Sequence, residues 1–260
     1  MAARSMWKAD LKIGSTKIPV KLYAAVSDRK VRFHILDKTR NRVKQHMVTQ
    51  EEHKEVPNEE IQKGYEIDPG RFVILTEEDL ESLTPKPSRE IEVTGFIDPE
   101  KISQQFYERP YYLGPDGSAK DYFALAEALG KRNKEGLASW VMRNKTYTGA
   151  LRADDGYLML YTLRPAEEVI QAKELPKPAG RAPTQKEIAM AKHLISLLEG
   201  EFVASEYKDE YRERVMEFIE KKAKGHAPRL KAVKTKRSTA TLDSVLEKSI
   251  AQLKKGKRAA

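Results

Sequence analysis

The segment TYTGALRADDGYLMLYTLR (146–164) constrains the fold more than any other stretch of this chain. Two arms rich in β-branched and aromatic residues meet at Asp155-Gly156, a dipeptide suited to the tight two-residue turn of a β-hairpin. It is not an isolated signal. IPVKLYAAV (18–26), VRFHIL (31–36), NRVKQHMV (41–48), FVILT (72–76), REIEVTGFI (89–97) and PYYLGP (110–115) also read as strands, with Ser27-Asp28 as punctuation between the first two. Helical patterns in this part are few. A short capped helix is expected from Thr76-Glu77-Glu78-Asp79 to Leu83, stopping before Pro85, and AKDYFALAEALGKR (119–132) sets Tyr122, Leu125, Ala126 and Leu129 at helical spacing. Many short strands with few intervening helices favour a barrel or sandwich over a doubly wound sheet.

The pattern changes at LPKPAGRAP (175–183), a Pro/Gly/Ala linker. Two helices are predicted beyond it. The first opens on the capping box Thr184/Glu187 and aligns Ile188, Ala191, Ile195 and Leu198 before Gly200; the second covers about 206–223 with Tyr207, Tyr211, Val215, Phe218 and Ile219 on one face. Residues 224–240 lack apolar periodicity and are expected to be disordered, whereas TLDSVLEKSIAQLKK (241–255) aligns Leu242, Val245, Leu246, Ile250 and Leu253. The expected organisation is a β-rich core over 1–175, a linker and helical arm over 176–224, and a basic tail with a terminal amphipathic helix over 225–260.

Charge is unevenly distributed. Residues 1–50 hold 12 Lys and Arg against 3 Asp and Glu, residues 51–220 hold 23 against 34, and residues 221–260 hold 13 against 2. Two basic blocks thus flank an acidic middle, which points to a polyanion touching particular surfaces. In the first block Arg29, Lys30, Arg32, Lys38, Arg40, Arg42 and Lys44 fall within sixteen positions. Such residues neutralise phosphates and release counterions, giving affinity without sequence preference. Their alternation with Val31, Phe33 and Val43 predicts a ribbon with one face toward polyanion and the other toward a core. A second, weaker set is Lys131, Arg132, Lys134, Arg143, Lys145 and Arg152, of which Arg143 and Lys145 are carried forward, and the tail adds Lys234, Lys236 and Arg237.

Chemistry is harder to find. Cysteine is absent, which excludes disulfides and thiolate metal sites and fits a reducing compartment. No apolar stretch approaches a membrane span, so a soluble, cytoplasmic protein is expected. The GSTK at 14–17 lacks the rest of a phosphate loop. His46 and His53 have no further ligand pair beside them and read as surface residues. His34, alternating with apolar neighbours, reads as a core histidine, and Phe33 and Tyr23 are assigned to the core as well. His193 lies in a helix with no nucleophile beside it. Asp154 and Asp155 are explained by the turn, and Glu77, Glu78 and Asp79 by a helix start. No catalytic site, metal or cofactor is expected.

Longer patterns match a known family. Met6-Trp7-Lys8 with KIGSTKIPVKLYAAV, then KGYEIDPGRFVILTEEDLESL (63–83), the stretch from PYYLGPDG to LRADDGYLMLYTLRPAEEV (110–169) and the terminal TLDSVLEKSIAQL together resemble bacterial Ku across nearly the whole chain. The resemblance implies a mixed β and α fold: a β-barrel core whose strand-rich bridge forms a ring in a homodimer, followed by a helical arm and a basic tail. It implies that the ring threads onto broken double-stranded DNA ends, in a bacterial nucleoid setting, and recruits the ATP-dependent ligase of non-homologous end joining. The basic positions nearest the bridge would be Lys30, Arg32, Lys38, Arg40, Arg42 and Lys44, and the terminal helix with Leu242, Val245, Leu246 and Ile250 would contact the ligase. Some members carry a Cys pair before the Lys-Gly-Tyr-Glu segment, where this chain has QHMVTQEEH; a zinc site of that kind is not expected. Three other readings are a chromatin-architectural protein, an end-processing nuclease needing a Mg²⁺-binding carboxylate cluster, and an adaptor docking through its terminal helix.

Overall fold

The structure is a computed structural model that describes residues 3–117, 119–177 and 179–225. Seven strands close into a barrel: β1 (Trp7–Ile13), β2 (Thr16–Ala24), β5 (Glu90–Ile97), β6 (Tyr107–Pro115), β7 (Glu135–Met142), β8 (Lys145–Asp154) and β9 (Tyr157–Leu163). Their order around the barrel is β1-β2-β6-β9-β8-β7-β5. Every pairing is antiparallel except β1 with β5, which is parallel and closes the ring.

Alternation decides which side chains fill the interior. Ala9 and Leu11 on β1 stand opposite Val20 and Ile18 on β2, and all four are buried. Ile91, Val93, Tyr111, Leu113, Ala138, Trp140, Leu151, Leu158 and Leu160 continue the same core. Gly149 is required here, because a Cβ at that position would come within 2.7 Å of the Trp140 ring. Helix α2 (Lys120–Arg132) buries Tyr122, Ala126 and Leu129 in this core. The fully buried Tyr122 hydroxyl donates to the Leu113 carbonyl at 2.5 Å and accepts from the Leu158 amide at 2.9 Å, tying helix to strands β6 and β9. The helix stops at Asn133, whose left-handed backbone (φ 47°) lets its amide cap the last turn. Asp155 (φ 47°) and Gly156 (φ 77°) form the expected tight turn between β8 and β9.

Between β2 and β5 the chain leaves the barrel for residues 25–89. This excursion carries a separate two-stranded sheet, β3 (Lys63–Asp68) with β4 (Arg71–Leu75), and helix α1 (Glu77–Ser82) with the predicted capping box from Thr76 to Asp79. Register places both roots of the excursion at one end of the barrel. The end of β2 lies by the start of β1 (Trp7 opposite Leu22), and β5 begins opposite Asp10, whose amide donates to the Arg89 carbonyl.

The chain divides into two compact units, one of residues 1–29 with 34–174, the other of Lys30–Phe33 with the residues from Leu175 onward. The second unit contains α3 (Gln185–Leu198) and α4 (Glu210–Ala223). The Thr184/Glu187 capping box is formed, and Arg181 grips the buried Glu187 carboxylate with two nitrogens, at 2.8 and 2.5 Å. On α4 no residue is buried.

Two expectations are corrected. VRFHIL and NRVKQHMV are not continuous strands: Leu36–Arg42 and Val48–Glu55 are isolated bridges within two short turned hairpins. Nor is there a core beneath them, since Phe33 (68% exposed), Ile35 and Val43 are open to solvent and His34 is exposed. Each of these segments pairs only with its immediate sequence neighbour, so the alternation has no second layer in a single chain to bury against. Tyr23 is half-buried beside Gly114.

Candidate nucleic-acid interface

Within the basic block predicted at 29–44, Lys30–Phe33 belong to the second compact unit, while residues 35–43 form an exposed hairpin organised by Asp37. One oxygen of its carboxylate accepts from the Thr39 amide, the Thr39 hydroxyl and the Asn41 amide, each at 2.8 Å. These donors, the Asn41 amide foremost, hold the Asp37 carboxyl below its ordinary range. Arg40 takes a left-handed conformation (φ 69°) to close the turn, and its amide donates to the Asp37 carbonyl at 3.1 Å. Lys38 and Arg40 therefore stand at the tip, with Arg42 and Lys44 along the returning arm. Arg42 lies 3.3 Å from the ring of His34 on the opposite arm.

Compensation separates this hairpin from the barrel wall. On β1 and β2, Lys8 and Lys21 share Asp116, while Lys12 and Lys17 share Glu90, and Lys12 also reaches Glu92. The same pairs raise the Lys12 and Lys21 ammonium groups and lower the Glu90 and Asp116 carboxyls. Among the described residues no carboxylate pairs with Arg32, Lys38, Arg40, Arg42, Lys44 or Arg143. Neutralised lysines release no counterions to a polyanion; unpaired ones do.

The second predicted set is split by the barrel. Arg143 and Asn144 (φ 54° and 62°) form the β7–β8 turn, and a cleft of about 290 Å³ joins them to Trp7, Ser88 and Arg89 at the end where the excursion is rooted. Lys145 follows, its ammonium 5.5 Å over the Tyr147 ring, and lines a cleft of about 540 Å³ with Lys101, Arg164, Phe106 and Glu168. Lys131 and Lys134 lie instead at the far end, paired with Glu127 and Asp98. Arg152 lies in the barrel wall, where it pairs with the buried Glu135 and covers the rings of Tyr107 and Tyr161 at 5.2 and 4.8 Å. Burial, with the Tyr107 hydroxyl donating to Glu135 at 2.5 Å, pushes that phenol up to about 12.

Arg89, Lys101 and Arg164 were missed from sequence. Each is an isolated cation between elements, and only strand register brings them beside Lys145 and Arg143. The larger cleft is no evident small-molecule site, because Arg164 is spent on the Gln105 and Tyr107 carbonyls and Tyr147 is stacked on Trp140.

Residues 46–56 form a short turned hairpin. The Thr49 amide donates to the Lys54 carbonyl, the Lys54 amide donates to the Thr49 hydroxyl, the Met47 carbonyl accepts from the Val56 amide, and His46 pairs with Glu55. No group of three or more metal-ligating side chains occurs among the described residues. Two exposed histidines, one of them engaged by a carboxylate, do not fit a structural zinc site. Lys234, Lys236, Arg237, Leu242, Val245, Leu246 and Ile250 lie outside the described residues. No helix among the described residues is long and apolar enough to cross a membrane.

A closed seven-stranded barrel bearing a long excursion with one basic hairpin defines a Ku-type barrel protein, and the chain belongs to that family: the family model of the Ku70/Ku80 beta-barrel domain matches residues 12–190. Within it the chain is similar to curated proteins named Non-homologous end joining protein Ku. That of Anaeromyxobacter sp. (strain K) is 41% identical over 228 residues, covering 86% of this chain and 77% of the relative. Ku 2 of Geotalea uraniireducens is 36% identical, covering 98% and 99%, and the Archaeoglobus fulgidus protein is 36% identical, covering 85% and 89%.

Proposed function

We propose that this chain binds the ends of double-stranded DNA without regard to sequence, as a homodimer that encircles the duplex, and serves non-homologous end joining by delivering those ends to an ATP-dependent ligase. The observation that carries the reading is the excursion between β2 and β5. It presents uncompensated Lys38, Arg40, Arg42 and Lys44 on an exposed hairpin while leaving its own apolar side chains bare. Phosphate contacts position a protein without reading bases, so such a hairpin suits any duplex.

Encirclement rests on the apolar side. Ile35, Val43, Met47, Val48, Tyr65, Ile67, Phe72, Val73 and Ile74 are all exposed. A monomer rarely leaves so large an apolar surface open, and a two-stranded ribbon such as β3–β4 is marginal alone. A second copy supplies the cover through a two-fold contact in which each excursion packs on its counterpart. Two excursions rooted on two barrels then enclose a channel lined by the basic hairpins, with Arg143 and Lys145 at its base. The basic tail with Lys234, Lys236 and Arg237 adds salt-sensitive affinity. Ligase contact falls to Leu242, Val245, Leu246 and Ile250, and the setting is the bacterial nucleoid.

Threading makes a topological prediction that can be checked directly. Binding to a linear duplex is expected to exceed binding to the covalently closed circle of the same sequence by at least tenfold, and capping both ends of the linear form with bulky hairpins should abolish the difference. Equal affinity for both forms, measured by mobility shift over several salt concentrations, overturns encirclement and leaves the chromatin-architectural reading.

A further inference from the structure

One face of α4 is an open apolar groove. Tyr211, Val215, Phe218, Ile219, Lys222 and Ala223 line it together with Phe33, around a space of about 630 Å³. Tyr211 and Phe33 are each more than two-thirds exposed. All of these residues belong to the second compact unit.

We propose that the groove is the intramolecular seat of this chain's own terminal segment, residues 241–255. Three observations select that occupant. The segment matches the groove in span: Leu242, Val245, Leu246, Ile250 and Leu253 run over eleven steps at helical spacing, as do Tyr211, Val215, Phe218, Ile219 and Lys222. At helical rise each row spans about 16 Å, so an antiparallel pair of helices matches end to end. The connection is also long enough. Residues 224–240 can reach up to about 55 Å when extended, well beyond the ~18 Å from Ala223 back to Tyr211. Finally, the chain leaves α4 at the very end of the groove, so the return is a local hairpin of two helices, whose high effective concentration favours contact within one chain.

The consequence concerns the ligase-contact face proposed above. Leu242, Val245, Leu246 and Ile250 cannot cover α4 and meet a partner at once, so the seated segment is withheld and becomes available on release. This step rests on the reading of the terminal segment as partner-binding; the seat itself does not.

The absence of cysteine in the natural chain makes the test clean. Full-length protein carrying Val215→Cys with Ile250→Cys is compared with Glu213→Cys plus Ile250→Cys, in which the first cysteine lies on the opposite face of α4. Equal amounts of isotopically light and heavy chain are mixed, denatured, refolded together and mildly oxidised, and the disulfides are mapped by mass spectrometry. The proposal expects at least tenfold more disulfide in the Val215 pair, nearly all of it light–light or heavy–heavy within single chains. A mixed light–heavy bond as the main product means that a second copy fills the groove, and equal yields from the two pairs mean that nothing of this segment does; either result overturns it. Folding of each variant is confirmed by its thermal transition, and Ile219→Cys replaces Val215→Cys should the latter fail to fold. DNA takes no part in the readout, so the outcome is independent of the end-binding proposal.

Discussion

Glu135 and Glu187 are both buried carboxylates held by arginine, and they should respond differently to perturbation. Glu135, at the start of β7, is reached by Arg152 and by the Tyr107 hydroxyl, while Arg152 itself keeps about a third of its side chain in solvent. Removing one partner of a buried pair typically costs about 3–5 kcal/mol, because the other charge is left uncompensated. The partial exposure of Arg152 reduces this, and Glu135→Ala is expected to cost about 2 kcal/mol in denaturant unfolding, with Glu135→Gln milder because it can still accept the Tyr107 bond. Glu187 caps α3. Its carboxyl is held down at about 2 by the Arg181 guanidinium first, then by the Thr184 amide and hydroxyl. A carboxyl depressed in the folded state stabilises fully above its unfolded value near 4.5, and that contribution is lost as pH falls toward 2. Protection of the Ile188 amide, which bonds the Thr184 carbonyl at 3.0 Å, should therefore fall across this window when its hydrogen-exchange rate is taken relative to the intrinsic rate at each pH. Glu187→Gln should exchange fast throughout and show no such step; an unchanged pH profile in that variant would contradict the assignment.

At the scale of elements, the 35–43 hairpin is a separable charge carrier. Replacing Lys38, Arg40, Arg42 and Lys44 by Ala removes four cations that no carboxylate balances, so the slope of log K against log salt should fall by roughly 3–4, at about 0.9 per phosphate contact. Replacing the paired Lys8, Lys12, Lys17 and Lys21 instead should leave the slope nearly unchanged. Titration of a short duplex at several salt concentrations distinguishes the two. These elements also show which features sequence can carry. The β8–β9 hairpin, α2 and both capping boxes were legible because a turn dipeptide, a helical stripe or a cap acts through near neighbours. β7 was not: EGLASWVM (135–142) mixes small and polar residues, and its strand character comes from Trp140 packing over Gly149 on the neighbouring strand. The reverse failure occurred in the excursion. VRFHIL has strand propensity and alternation, but propensity becomes a strand only with a sheet and a second layer to meet. The basic block was legible as charge, whereas its compensation was not, since Asp116 and Glu90 reach the β1–β2 lysines from distant positions in the chain.

The whole molecule combines a barrel with a buried core of its own and an excursion whose apolar side chains are exposed. The barrel buries a continuous core, and each fully buried leucine there contributes about 1.5–3 kcal/mol. No described residue of the excursion is buried; in the proposed homodimer its order comes from the second chain. Stability should then depend on protein concentration, as it does for any fold completed by association. If unfolding and dissociation are one transition, tenfold dilution costs about 1.4 kcal/mol. For a chain of this size that lowers Tm by roughly 2–4 °C. Phe72→Glu with Ile74→Glu places two charges on one face of the β3–β4 ribbon, where Gly64 and Glu66 stand opposite them. This variant should sediment as a monomer, keep a barrel transition that no longer shifts with dilution, and lose its preference for linear over closed DNA. All three changes should appear together, because a ring that cannot close has no topology to enforce. A monomeric variant that still distinguished linear from closed duplex would show that end recognition resides in a single barrel and its basic hairpin, without encirclement.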